Sequence, residues 1–253
     1  MRKSYLIEKE FPWARPYPID ASRLPPNYTG LDSKKVFEIF KSKWKPLEKN
    51  KFEKNEEFKQ RIKNLIIDAS PISSNVDYAF LLEFHPEYDA NTERYIINKF
   101  CDNGILSTNE SNLIICRTTT AESNRRNYVA SNAFGATTNV TEVYTKDIGI
   151  AFSKNSTFAN RLFTKEGKIN GYYFSDNFPL SIEKAKYLQK YRIGVLFIGR
   201  FINANIAYNS STITPTINKP YSSLTEIYAP SFEPKQVVYY VIQTGEILSK
   251  KVF

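Results

Sequence analysis

Residues 236–253 read QVVYYVIQTGEILSKKVF. Two runs rich in β-branched and aromatic residues flank Thr244-Gly245-Glu246. Such side chains pack well on a pleated, half-buried surface, and a short glycine-bearing connection gives the backbone freedom a tight reversal needs. The pattern predicts a hairpin with strands over 236–243 and 247–253. Upstream, residues 203–223 are rich in Asn, Ser, Thr and Pro and read as a long surface loop. Before that loop, IGVLFIGRFI at 193–202 is apolar enough for a core strand. Further strands are predicted over 76–84, 93–101, 113–118, 126–133, 139–144, 148–153 and 171–174, with turn chemistry at Asp102-Asn103-Gly104 and Gly135. Asn132-Ala133-Phe134-Gly135 reads as a strand end whose ring packs inward beside a bend.

Helical signals are fewer. Asp32 or Ser33 is placed to cap a helix carrying Val36, Phe37, Phe40 and Trp44 on one face, and Pro46 stops it. Asn55 is placed to cap a second, with Glu56 and Glu57 in its first turn and Phe58, Ile62, Leu65 and Ile66 as its apolar stripe. A short helix is predicted over 157–163. Another spans 182–191 behind Ser181, with Ile182, Ala185 and Leu188 recurring on one side. Residues 1–31 contain Pro12, Pro16, Pro18, Pro25 and Pro26, so they read as an extended arm. Its Phe11, Trp13, Tyr17 and Tyr28 place that arm across the body rather than in solvent. The expected fold is one α+β domain over 1–253: an extended arm (1–31), a basic helical segment (32–70) and a β-rich body (71–253). Its twisted antiparallel sheet carries the N-terminal helical pair and one further helix.

Bulk properties narrow the class. With 253 residues, 42% hydrophobic and 15% aromatic, the chain is too apolar for a disordered protein and long enough for a sizeable core. Part of its Lys, Asn, Ile, Phe and Tyr surplus also follows from AT-rich coding. No run of 18 apolar residues is present, so no transmembrane segment is expected. MRKSYLIEKEFPWARPYP lacks the apolar run of an intact secretory signal. The expected compartment is therefore periplasmic or envelope-associated if a leader was removed, and cytoplasmic otherwise. Cys101 and Cys116 are the only cysteines; they are either a cross-strand bridge or two half-buried thiols.

The charge of +9 is concentrated. Residues 34–63 hold eleven Lys/Arg against five Glu, a balance of +6. Lys34, Lys35, Lys41, Lys43, Lys45, Lys49 and Lys51 are the candidate polyanion contacts, with Trp44 available to stack on a base. Interleaved glutamates and the excess of Lys over Arg favour a solvated helical face, and weak, salt-sensitive polyanion binding at most.

Catalytic signals are thin. Glu83, His85, Glu87 and Asp89 alternate along EFHPEYD, yet Pro86 breaks the strand, and one imidazole without a second imidazole or thiolate is a weak metal signal. A Ser- or Cys-centred triad would have to use that same lone histidine. No glycine-rich phosphate loop is present, and nothing singles out a carboxylate pair among 26 acids. Asn-x-Ser/Thr triplets at Asn27, Asn109, Asn139, Asn155 and Asn209 are expected by chance in such a composition. No cofactor is expected.

LPPNYTGLDSKKVFEIF (24–40) with KNKFEKNEEFKQRIKN (49–64), NYVASNAFGATTNVTEVY (127–144) and SIEKAKYLQKYRIGVLFIGRFI (181–202) together resemble an uncharacterised family of exported or envelope-associated proteins of Gram-negative bacteria. The shared pattern is a Leu-Pro-x-x-Tyr-x-Gly start, Lys-x-Glu-Phe-Glu-Thr-like helices and an Asn-Ala-Phe-Gly strand region. Phe52-Glu53-Lys54 departs from the family's Phe-Glu-Thr. The resemblance implies an envelope setting and brings no catalytic residue. The expected function is non-enzymatic binding or accessory work in the bacterial envelope, through the Tyr/Asn/Ser/Thr-rich strands and residues 203–223, with a protein or envelope component as partner. Polyanion or nucleic-acid binding through 34–63 is the alternative, and a hydrolase with an unrecognised carboxylate pair ranks third.

Overall fold

The computed structural model describes residues 13–14, 16–18, 21–44, 50–63, 68–69, 72–82, 84, 86–104, 113–131, 133–165 and 171–253. The elements run α1 (Ser33–Trp44), α2 (Asn55–Lys63), β1 (Asp68–Ala69), β2 (Ile72–Ser73), β3 (Tyr78–Leu82), β4 (Glu87–Asp89), β5 (Arg94–Gly104), β6 (Leu113–Ser131), β7 (Thr137–Ser153), α3 (Thr157–Leu162), β8 (Phe163–Lys165), β9 (Gly171–Pro179), α4 (Ile182–Leu188), β10 (Ile193–Ile213), β11 (Tyr221–Val241) and β12 (Ile247–Val252). Among the described residues, ten strands form one sheet in the order β3-β10-β11-β7-β6-β5-β9-β8, with β12 on β11 and β4 on β5. β1 and β2 pair separately.

The expected α+β class with an antiparallel sheet is overturned. The protein is mostly sheet, and the sheet is mixed, because β7 and β11 run parallel from Tyr221↔Thr141 to Ser231↔Ala151. Two physical reasons account for the difference. First, polar stretches that look like breaks are still laddered: β6 and β7 continue through residues read as gaps, and β10 and β11 each reach 21 residues. Residues 203–223 are therefore largely strand, with a short connection between β10 and β11, and not a long loop. Second, parallel pairing of two hairpins needs no local turn signal, so periodicity cannot reveal it.

Long strands serve both body and projection because they bend. β10 shifts register between Phe201 and Ile206 opposite Pro230, and again between Ile198 and Gly199 opposite Pro234. A proline inside a central strand is tolerated at such irregularities, where no ladder N–H is needed. Below the bends, the sheet folds over itself into two facing layers. Phe197 of β10 meets Phe174 of β9 at 5.4 Å and Phe158 of α3 at 5.0 Å, while Phe178 stacks on Tyr239 at 4.9 Å. Asp176 of β9 accepts hydrogen bonds across the layers from the Tyr239 hydroxyl and the Lys251 ammonium. Above the bends, the outer parts of β10, β11, β7 and β6 continue as a four-stranded blade in that order.

Helices fill in around this frame. Asp32 caps α1, its Oδ1 accepting from Lys34 N at 2.9 Å. Val36, Phe37 and Phe40 are buried, and the Phe40 ring lies 5.0 Å from Phe201 and the Phe37 ring 5.5 Å from Tyr228. α1 thus covers the root of the blade. The Trp44 and Ile62 side chains, Leu65 and Ile66 lie outside the described residues. α3 and α4 carry serine caps at Ser156 and Ser181, and α4 stops at Leu188. The described part of the N-terminal segment lies across the body: Ala14, Tyr17 and Leu24 are buried, and Leu31 N donates to Ala79 O at 2.8 Å, whereas Phe11 lies outside the described residues. Gly30 permits that approach, since a Cβ there would sit 2.2 Å from Ala79 O. The terminal hairpin of β11 and β12 is as expected, with Gly245 at φ 72°. Cys101 and Cys116 form a disulfide between β5 and β6. No helix among the described residues is long and apolar enough to cross a membrane.

Candidate binding face on the blade

Alternation along the ladder places one set of side chains on the blade face next to α1. Register pairs Glu122 with Lys146, Asn124 with Tyr144, Arg126 with Glu142 and Tyr128 with Val140 between β6 and β7. The next ladder pairs Lys146 with Glu226 and Tyr144 with Leu224. Tyr208 and Tyr228 follow on β10 and β11. These residues sit on strands of a continuous sheet, so the ladder register sets which side chains stand side by side.

Its polar groups hold one another. Arg126 Nε donates to Glu142 Oε2 at 2.6 Å, and its guanidinium lies 5.7 Å from the Tyr128 ring centre. Asn124 Nδ2 donates to Glu122 Oε1 at 2.6 Å. Glu226 accepts from Tyr144 at 2.9 Å and from Tyr208 at 3.0 Å. The Lys146 ammonium stands 5.2 Å from the Phe37 ring and 5.3 Å from Tyr228, joining the blade to α1. The hydrogen bond to Glu226, aided by burial, pushes the Tyr144 hydroxyl up to about 12, so it remains a donor at neutral pH. Burial, with the nearby Glu226 charge, takes Tyr228 to about 12 as well. A concavity of about 380 Å³ opens on this face beside Asn124, Arg126, Glu142 and Tyr144. Ring faces, a guanidinium fork, an amide and a carboxylate side by side make a surface suited to hydrogen-bonded and stacked ligands.

The blade's far ends carry apolar residues. Phe134, expected to pack inward, instead sits in the β6–β7 turn at 95% exposure, with Gly135 at φ 81°. The strands overshoot the core, so a ring at the turn has no interior to enter. Ile213, Ile217 and Tyr221 are exposed around the β10–β11 connection.

The basic segment is only partly visible. Lys34, Lys35 and Lys41 are exposed on α1, and Lys35 Nζ lies 5.6 Å from the Trp13 ring. Lys51 is exposed ahead of α2, near Phe52. Lys45, Lys49 and the Lys43 side chain lie outside the described residues. So do Glu83 and His85 of the alternating acidic stretch. Of that stretch, Asp89 ends β4 and holds the turn that follows: its carboxylate accepts from Thr92 Oγ1 at 2.7 Å and Asn91 N at 2.9 Å, which hold it below its usual range.

A second cleft of about 520 Å³ lies between β3, the β4–β5 hairpin and the turn after α4. Its tyrosines are engaged structurally: Tyr88 packs on Tyr95 at 5.3 Å and donates to Leu180 O at 2.8 Å. The blade therefore carries the more convincing polar constellation. Sequence reasoning pointed at Tyr- and Asn-rich strands in general but missed Arg126, Glu142, Tyr144 and Glu226 as one group. The alternation Asn124-x-Arg126-x-Tyr128 opposite Val140-x-Glu142-x-Tyr144 was the available signal, but it is readable only once the register is known. No family model, no curated protein and no solved structure matches the chain.

Proposed function

We propose that the chain is a non-enzymatic binding protein of the bacterial envelope whose ligand surface is the polar face of the blade. One observation carries this reading: β6 and β7, two of the blade's four long strands, display Asn124, Arg126, Tyr128, Glu142 and Tyr144 together beside a concavity. Tyr and Asn combine contact area with adaptable hydrogen bonding at low entropic cost, which suits recognition more than turnover. The Cys101–Cys116 bridge favours an oxidising compartment and hence an exported protein. The test is co-sedimentation with envelope fractions of a Gram-negative host, comparing the wild type with a Tyr128→Ala/Tyr144→Ala variant of unchanged circular dichroism. Retention of the wild type and at least about tenfold weaker retention of the variant is expected. Equal retention of both, or of neither, refutes it.

A second reading rests on the exposure of Lys34, Lys35 and Lys41 along α1. Phosphate-type contacts weaken steeply with salt, so this reading predicts only weak heparin retention. Elution above about 0.5 M salt would make α1 the principal surface instead.

A further inference from the structure

β6 is bordered on both sides only at its start. Its ladder with β5 covers Asp102↔Ile115, Asn103↔Ile114 and Gly104↔Leu113, and the Cys101–Cys116 disulfide closes the next position. There β5 turns away to pair with β9 along Arg94–Asp102. Beyond Cys116, β6 pairs with β7 on one side, and among the described residues no strand lies along the other. The open stretch extends to Ser131, a row of unpaired backbone donors and acceptors roughly 45 Å long. Such an edge accepts another strand unless its sequence forbids it.

The sequence of this edge selects its own partner. Glu122, Asn124 and Arg126 share the face next to α1, as their ladder partners Lys146, Tyr144 and Glu142 do. Two copies of β6 laid antiparallel about a two-fold axis at Asn124 set Glu122 of each opposite Arg126 of the other. Ser123 then faces Arg125 on the reverse side. Shifting the axis to Arg125 or Arg126 puts arginine on arginine, which opposes pairing. Register irregularities between Arg117 and Thr119 and between Thr120 and Glu122 end the regular run just before Glu122, which further limits slippage. In this arrangement Arg126 lies between Glu142 of its own chain and Glu122 of the other copy.

We infer that the free edge of β6 is a homodimerisation surface, in which two chains pair β6 to β6 about Asn124 and join their blades into one eight-stranded sheet. The interface is isologous, so each attractive pair occurs twice. It is short and bounded by irregularities, so the dimer is weak and reversible, and it weakens as salt screens the charges.

Sedimentation velocity on the full chain, from about 10 to 500 μM at low salt, tests this. The wild type is expected to show reversible dimerisation. Glu122→Arg alone and Arg126→Glu alone should each weaken it about tenfold or more, since like charges then meet twice. An equimolar mixture of these two variants should restore association, because every contact again joins opposite charges. A wild type that stays monomeric throughout, or a mixture that associates no better than its components, overturns the proposal. Oxidative cross-linking supplies a reading independent of charge. Asn124→Cys, at the axis, should give a covalent dimer in preference to Val129→Cys, also exposed on β6. Equal cross-linking of the two rejects the register.

Discussion

Gly245 is where the terminal hairpin meets the N-terminal segment. It has φ 72°, its carbonyl accepts from Leu24 N at 2.9 Å, and a Cβ there would lie 1.8 Å from Leu24 O. Both the backbone conformation and the close approach require glycine, so Gly245→Ala should lower the unfolding free energy by about 1–3 kcal/mol in a guanidinium titration. Tyr144 makes a prediction of opposite kind, about protons. Its folded value of about 12 exceeds the ordinary 10.0, so the folded state holds the proton more tightly. That contribution is fully present below pH 10 and is lost as pH rises towards 12. Tyr144→Phe should therefore flatten the fall of stability over that window. Its tyrosinate absorbance at about 295 nm should also lose one late-titrating group. An unchanged alkaline limb would show that the Glu226 hydrogen bond does not form. Tyr228 titrates late for another reason, chiefly burial, and remains in the variant as an internal reference.

At the scale of elements, the Cys101–Cys116 bridge sits where β5 parts from β6. It closes a loop whose cysteines are 15 residues apart, for which the chain-entropy account gives about 3 kcal/mol. Replacing both cysteines by serine should lower the denaturation midpoint accordingly and speed amide exchange first at the β5–β6 pairing. An unchanged midpoint would mean that the ladder alone fixes this junction. The elements also explain which parts of the fold could be read from the chain. The terminal hairpin, the caps at Asp32 and Ser181 and the apolar run at 193–202 declare themselves locally, through Gly245, through side-chain oxygens ahead of a helix and through continuous burial. The blade does so only in pieces. Glu122 to Arg125 are exposed and polar, so no hydrophobic alternation joins the strands expected over 113–118 and 126–133, and it is the ladder with β7 that makes them one. The parallel contact of β7 with β11 and the grouping of Arg126, Glu142 and Tyr144 depend on register between segments, which composition does not encode.

The molecule as a whole divides one continuous sheet between two environments. The same strand β7 runs from Thr137, exposed near the β6–β7 turn, to Ile150, Ala151 and Phe152, all buried in the body. Hydrogen bonds are laid down along its whole length, but apolar burial is not. Sheet hydrogen bonds to exposed backbone contribute little net stability, whereas the body adds the packing of Phe152, Phe158, Phe174 and Phe197. Local opening should therefore cost far less in the blade than in the body. Peptide-level hydrogen exchange at low protein concentration should find residues 137–143 exchanging about 100-fold faster than residues 148–152 of the same strand. The β6–β6 pairing adds a second dependence, on concentration. Raising the protein into the dimerising range should slow exchange around 120–128 of β6 while leaving residues 206–213, the blade's opposite border, unchanged. Uniform protection along β7 would show that blade and body open together. Equal slowing at both borders of the blade would show that association does not run through β6.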